Sequence, residues 1–333
     1  MSEQAVGTAL SWRAPTAADL PAWLELVQGA QRFDGDEPMS AEDLAASFES
    51  GAWSPEPDAR LLALEGGELV ADAVVAHFGA TRDMTRIHLL GCVRPAERGR
   101  GIGRQVLAWQ LERGAQRYAE LDSDLPGRFE VNGAAGGPAE RLYVHCGFEP
   151  VRYWSHMVHR LDGDTRPARE ADGLRVAPYR EDLAEQVRRA HNEAFADHWA
   201  PTVWEPAMWH QRAVGHPSFR PELSFVVLDG TRRDPTVAAY VLSYENEPDL
   251  PGGAPVGYLA RIGTRRPWRG RGLGTALVCA SLAAMRDAGY DRATLTVDAA
   301  NPTGAVSLYE RLGFVAERQI VSYQRPIGPS PST

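Results

Sequence analysis

An α/β fold of two tandem domains is predicted by three observations. A glycine–arginine turn occurs twice, a Tyr-x3-Gly-Phe element follows it twice, and both halves share one order of apolar strands and amphipathic helices. The first turn is Val93-Arg-Pro-Ala-Glu-Arg-Gly-Arg-Gly-Ile-Gly-Arg104. The second is Thr264-Arg-Arg-Pro-Trp-Arg-Gly-Arg-Gly-Leu-Gly-Thr275. Arg269 stands 171 residues after Arg98, and Tyr309 stands 166 after Tyr143. The small difference is absorbed by a longer Gly/Pro-rich loop at about 122–138 in the first copy.

Each copy opens alike, Trp12-Arg-Ala-Pro and Leu174-Arg-Val-Ala-Pro, as a first strand running into a helix. A charged, turn-rich linker at about 161–172 separates them, giving domains at roughly 10–160 and 173–327. In the second copy, 183–195 has helical apolar spacing, and 198–221 is rich in Trp, His and Pro. Apolar, β-branched runs predict strands at 223–228, 236–244 and 255–262. Helices at 273–288 and 303–312 each stop at a glycine, with strands at 293–297 and 320–323.

The chain has 333 residues, ample for two cores, and 44% hydrophobic with 24% charged residues is ordinary for globular protein. A net charge of −9 argues against a general nucleic-acid binder. All 35 basic residues are arginine, so neither a Walker lysine nor a lysine Schiff base is available. Cys92, Cys146 and Cys279 form no CxxC, which predicts no metal site and suits a cytoplasmic location. No apolar run is long enough to span a membrane, and no signal peptide is expected.

In both copies a strand runs into Arg-Gly-Arg-Gly-(Ile/Leu)-Gly and then a helix. Glycines allow close backbone approach, and the bare amides at a helix start meet a positive dipole end. That combination suits a phosphate or pyrophosphate, with Arg98, Arg100, Arg269 and Arg271 adding charged hydrogen bonds. A Rossmann turn needs a third glycine at 104 or 275, where Arg104 and Thr275 stand.

These motifs resemble the GCN5-related N-acetyltransferase family, whose signature Arg/Gln-x-x-Gly-x-Gly/Ala is matched by Arg98, Gly99, Arg100, Gly101, Ile102 and Gly103 and by Arg269, Gly270, Arg271, Gly272, Leu273 and Gly274. The resemblance implies, for each domain, a mixed sheet splayed between its central strands, flanked by helices, with acetyl-CoA as cosubstrate and no metal. Backbone groups near Ile262, Gly263 and Thr264, and Val93 in the first copy, would hold the pantetheine arm. Asn301 would assist, and Tyr309 would protonate the leaving thiolate. The implied activity is N-acetyl transfer to a primary amine of a small molecule. A non-catalytic acyl-CoA-binding or sensing module is the alternative, and a longer acyl donor a further one. The tandem form resembles the mycothiol synthase group, with Asp34-Gly-Asp-Glu-Pro and Asn192-Glu-Ala-Phe-Ala-Asp-His carrying that likeness. It departs from the group in having Tyr258 where a glutamate base is usual, and no lysine.

The second copy is expected to be catalytic, because the first has Ala135 where Asn301 aligns and a longer loop. Asp197, His198, Glu245, Glu247 and Asp298 are the candidate bases. Trp199, Trp204 and Trp209 are expected either to wall an acceptor pocket that attracts a cationic amine or to pack the two domains together. Oligomeric state is not legible.

Overall fold

The computed structural model describes residues 10–49, 60–81, 83–163, 173–199, 201–230, 235–248, 253–300 and 304–328. The chain forms two compact units, one of residues 1–131, 137–149 and 323–333, the other of 132–136 and 150–322.

In the first unit, β1 (Ser11–Arg13), α1 (Leu20–Asp34) and α2 (Ala41–Glu49) precede β2 (Arg60–Glu65), β3 (Glu68–His77) and β4 (Thr85–Leu90). α3 (Ile102–Glu120), β5 (Gly127–Ala134) and α4 (Glu140–His145) follow. β1 to β4 pair antiparallel in sequence order, and β5 joins β4 in parallel. β3 is largely apolar and buried along nearly its whole length, and its one buried charge, Asp72, accepts from the Trp23 indole at 3.1 Å and the Cys92 amide at 2.7 Å.

The next strand, β6 (Glu149–Arg160), begins the second unit. Then come β7 (Leu174–Pro178), α5 (Ala184–Ala194) and α6 (Pro206–Trp209), which runs on into a π-helical turn at His210–Val214. β8 (Phe225–Asp229), β9 (Thr236–Asn246), β10 (Val256–Thr264), α7 (Leu273–Asp287), β11 (Arg292–Asp298), α8 (Ala305–Arg311) and β12 (Val315–Pro326) complete the chain. β7 to β10 pair antiparallel and β11 joins β10 in parallel. The elements expected at 183–195, 236–244, 255–262, 273–288 and 293–297 all form. The last strand is longer than expected, Val315–Pro326 rather than 320–323.

Two features depart from a simple bead-by-repeat arrangement. β6, the last strand of the first repeat, pairs antiparallel with β11 over seven residues, from Arg292↔Arg160 to Asp298↔Trp154. The end of β12 belongs to the first unit, where Gln324 donates to Glu130 at 2.8 Å and the Ile327 amide donates to the Gly127 carbonyl at 2.9 Å. Of the expected linker, residues 164–172 lie outside the described set.

Two apolar layers sandwich the strands of the second unit. Leu259, Leu273, Leu277, Leu295, Tyr309 and Phe314 lie on the α7 side. Val187, Trp209, Tyr240 and Tyr244 lie on the α5 side, with Tyr258, Ala260 and Trp204 packed against them.

Candidate active site

β10 and β11 pair only at Val256↔Arg292, Gly257↔Ala293 and Tyr258↔Thr294, although β10 continues to Thr264 and β11 to Asp298. Beyond Tyr258 the two strands therefore part, leaving backbone edges that face a cleft. The parting coincides with a bulge in β10: Leu259 opposes Ser243 and Arg261 opposes Leu242, so Ala260 is the extra residue. Further along, the Arg265 amide donates to the Ala238 carbonyl at 3.0 Å, on the β9 side. Strand alternation then turns the amides of Thr264 and Ile262 to the cleft edge.

Gly263 lies between them. A Cβ there would stand 2.5 Å from the Tyr240 ring, whose hydroxyl is hydrogen-bonded to His191 at 2.6 Å. Tyr240 is fully buried and has no room to retreat. Gly263→Ala is expected to lower folding stability by about 1–3 kcal/mol through overpacking. Thermal melting identical to the parent chain contradicts that.

The strand delivers the chain to the glycine–arginine turn. Gly270 and Gly272 both have φ of 75°, and Gly272 caps α7 from the left-handed region, which explains glycine at both. A Cβ built on Gly270, Gly272 or Gly274 meets nothing within 4 Å, so the backbone is open to close approach. The Ala276 amide reaches back to the Gly272 carbonyl at 3.1 Å. Amides before it lie at a helix start without intrahelical acceptors. Trp268, just upstream, is buried and donates to Asp229 at 3.0 Å, which fixes the turn to β8. A diphosphate fits this donor set.

The first turn has the same backbone. Gly99 and Gly101 have φ of 83° and 86°, and a Cβ on either meets nothing within 4 Å. Ile102 starts α3 and is buried, and the Gly103 Cβ position lies 3.4 Å from Leu142. Its arginines, however, are already engaged. Arg98 forks onto Asp34 at 2.6 and 2.8 Å and donates to the Val93 carbonyl at 3.1 Å. Arg100 forks onto Glu65 at 2.7 and 2.8 Å and also pairs with Glu97. These carboxylates raise the proton affinity of both guanidiniums. In the second turn, Arg269 donates to the carbonyls of Thr264 at 3.2 Å and Ala194 at 3.0 Å, and the Asp197 carboxylate stands off at 3.8 Å. Asp197 is instead forked onto Arg266. Arg271 is exposed and meets no carboxylate among the described residues.

Tyr309 lies on α8, buried, with the Phe314 ring at 5.9 Å. Burial pushes its phenol up to about 12, so it is a protonated donor at neutral pH. Tyr143 is also held near 12 by burial, but its ring is packed against both Phe148 at 6.0 Å and Tyr323 at 5.6 Å. Asn301 lies outside the described residues.

Three of the candidate bases are tied up. Asp298 is buried in an ion pair with Arg152, brought by β6. Glu245 accepts from Arg220 at 2.9 Å and from the Tyr290 hydroxyl, contacts that outweigh its partial burial and lower its proton affinity. Asp197 is lowered by Arg266. His198, against the Phe195 ring at 4.3 Å, is kept neutral by partial burial. Glu247 is half-buried.

The tryptophans do not form one wall. Trp209 is a core residue beside His191 at 5.2 Å, and Trp199 meets Trp154 of β6 edge-on at 6.2 Å. Trp204 is clamped by both ends of the Asn192 amide, and its ring face is covered by Arg261 at 4.8 Å. The expected cation on an aromatic face is thus the chain's own. Sequence reading passed over Arg261, although an arginine inside an apolar strand was a visible signal.

Comparison with known proteins agrees with this geometry. The acetyltransferase (GNAT) family profile matches residues 182–314, and an acetyltransferase (GNAT) domain profile matches 57–150. The mycothiol acetyltransferase of Nocardiopsis dassonvillei is 31% identical, over 92% of this chain and 93% of its own. That of Geodermatophilus obscurus is 30% identical, over 92% and 94%. The chain belongs to the GCN5-related N-acetyltransferase (GNAT) family.

The crystal structure of a GCN5-related N-acetyltransferase from Sphaerobacter thermophilus is 26% identical, with a TM-score of 0.74 over 97% of this chain and 98% of that one. A tandem GNAT protein from the clavulanic acid biosynthesis pathway shares the fold, at 18% identity and a TM-score of 0.72 over 97% and 100%. The chain is therefore a tandem GNAT acetyltransferase with acetyl-CoA as its cosubstrate. Its bulged, parting strand pair and glycine–arginine turn are the GNAT features already described. No group of three or more His, Cys, Asp or Glu suited to a metal occurs among the described residues, and none of their helices is long and apolar enough to cross a membrane.

Proposed function

We propose that the second domain transfers the acetyl group of acetyl-CoA directly to a primary amine of a small molecule, and that the first domain does no chemistry. The contrast between the two turns carries this reading. A pyrophosphate arriving at the first turn must displace Asp34, Glu65 and Glu97 from Arg98 and Arg100. At the second it meets bare amides and the exposed Arg271. The curated relatives' name, mycothiol acetyltransferase, supports a small amine as acceptor. Tyr258 in place of the group's glutamate favours a different amine from theirs.

Membership of the family suggests the roles. Amides of Ile262 and Thr264 hold the pantetheine arm and polarise the thioester carbonyl. Gly270, Arg271, Gly272, Leu273 and Gly274 receive the pyrophosphate, with Arg269 bracing the turn. The amine nitrogen bonds to the carbonyl carbon and gives up a proton, the carbon–sulfur bond breaks, and Tyr309 hands the sulfur its proton. His198, neutral and not ion-paired, is the group best suited to take the amine's proton.

Calorimetric titration of the full chain with CoA tests the asymmetry. One equivalent bound per chain is the expected result, with thiol released when acetyl-CoA and an amine panel are supplied together. Two equal sites would overturn the assignment of the first domain. Saturable CoA binding with no thiol released for any amine would favour a sensing module instead.

A further inference from the structure

We propose that Arg261 reads a carboxylate on the acceptor, so that the amines this chain acetylates are amino acids or close carboxylated relatives. The proposal rests on the acetyl-transfer reading above.

The bulge sets the direction of this side chain. Along β10, Tyr258 packs on the α5 side, Leu259 on the α7 side and Ala260 on the α5 side again. Strict alternation would send Arg261 to the α7 side. The extra residue at Ala260 cancels one step, and Arg261 instead lies against Trp204 and Tyr244 on the α5 side. Its neighbour Ile262 is the residue whose amide faces the cleft where the thioester is held. Arg261 is thus the chain neighbour of Ile262, with its guanidinium on the sheet face covered by α5 and α6.

The charge there is unanswered. Arg261 is half-buried, donates to the Tyr244 hydroxyl at 2.8 Å and to the Arg212 carbonyl at 3.1 Å, and lies over the rings of Trp204 and Tyr244 at 4.8 and 5.4 Å. Those contacts use two of its five N–H donors. No carboxylate among the described residues pairs with it, whereas Arg152, Arg220 and Arg265 of this unit are paired with Asp298, Glu245 and Glu193. Two groups beside it, His191 and Arg212, carry no negative charge. His191 is held neutral, its affinity lowered to about 3 by burial and then by Arg261, and Arg212 is itself a cation whose affinity is lowered by burial and by Arg261. In a chain of net charge −9, a local excess of positive charge beside the acceptor path calls for an anionic ligand. The three N–H donors that remain are enough for a planar, bidentate partner, which a carboxylate is. The same charge disfavours a dicationic acceptor such as a diamine and lowers the pKa of a nearby amine, increasing the neutral nucleophilic fraction.

The test uses the full chain, saturating acetyl-CoA and thiol release, with a panel of amino acids each beside its primary carboxamide and with amino-alkyl phosphates as a third arm. Carboxylated amines are expected to exceed their carboxamides by about 10-fold or more in kcat/KM, the scale of one charged hydrogen-bond pair. Arg261→Gln should bring that ratio to within about twofold, chiefly by raising KM for the carboxylated amine, while Arg261→Lys keeps part of it. CoA titration of each variant verifies a folded cofactor site. Equal rates on carboxylate and carboxamide, a preference unchanged in a folded Arg261→Gln chain, or a stronger preference for the phosphates each overturn the proposal while leaving the transferase reading intact. No thiol release with any amine overturns both.

Discussion

Tyr309→Phe is expected to reduce kcat by about 100-fold or more, the usual range for loss of a positioned proton donor being roughly 10²–10⁴. The KM for acetyl-CoA should stay within about twofold, because the ring keeps its packing against Phe314 and only the hydroxyl is removed. Tyr143→Phe, the same change on the equivalent helix of the first unit, should leave kcat within about twofold. The pH dependence gives a second, independent check. Burial raises the Tyr309 phenol to about 12. The protonated form, which is the active one, is therefore fully populated at neutral pH and persists past pH 10, where a free tyrosine has half ionised. Activity should hold through pH 10 for lack of any loss at this residue. An alkaline fall centred near 10 in the parent chain and absent in Tyr309→Phe would contradict the raised phenol, whereas a phenylalanine variant with normal kcat would remove Tyr309 from this role.

Charge reversal at the two turns should give opposite results. Arg271→Glu is expected to weaken CoA binding by about tenfold to a hundredfold, since it removes a charged donor and puts a like charge against the pyrophosphate. Arg98→Glu and Arg100→Glu should leave CoA affinity within about twofold, because those side chains already spend their donors on Asp34, Glu65 and Glu97. Such exposed pairs add little to folding, so the contrast is one of binding rather than stability. Titration calorimetry of each folded variant reads it directly. Equal losses at both turns would mean that the first turn also holds the cosubstrate.

Arg261 gives the substrate question a defined form. The strand before the second turn carries Tyr258 and, three residues later, a cation without a carboxylate partner among the described residues.

The amino-acid sequence alone determined the repeat, the strand–turn–helix order and the positions of Gly270, Gly272, Arg269 and Tyr309. These features are local. A left-handed glycine cap, a bare helix start and an i to i+5 span from tyrosine to Gly-Phe are set by residues within a few positions of one another. Tertiary structure alone decided which turn has its arginines paired with carboxylates. That depends on carboxylates 64 and 35 residues away from their arginines, at Asp34 and Glu65. It also decided that Asp298 and Glu245 are held in ion pairs, that β6 pairs with β11, and that one extra residue at Ala260 turns Arg261 toward Trp204. Contacts of that kind follow from register and long-range packing, where shifting a strand by one residue reverses the face its side chains occupy, and no local sequence pattern encodes the choice.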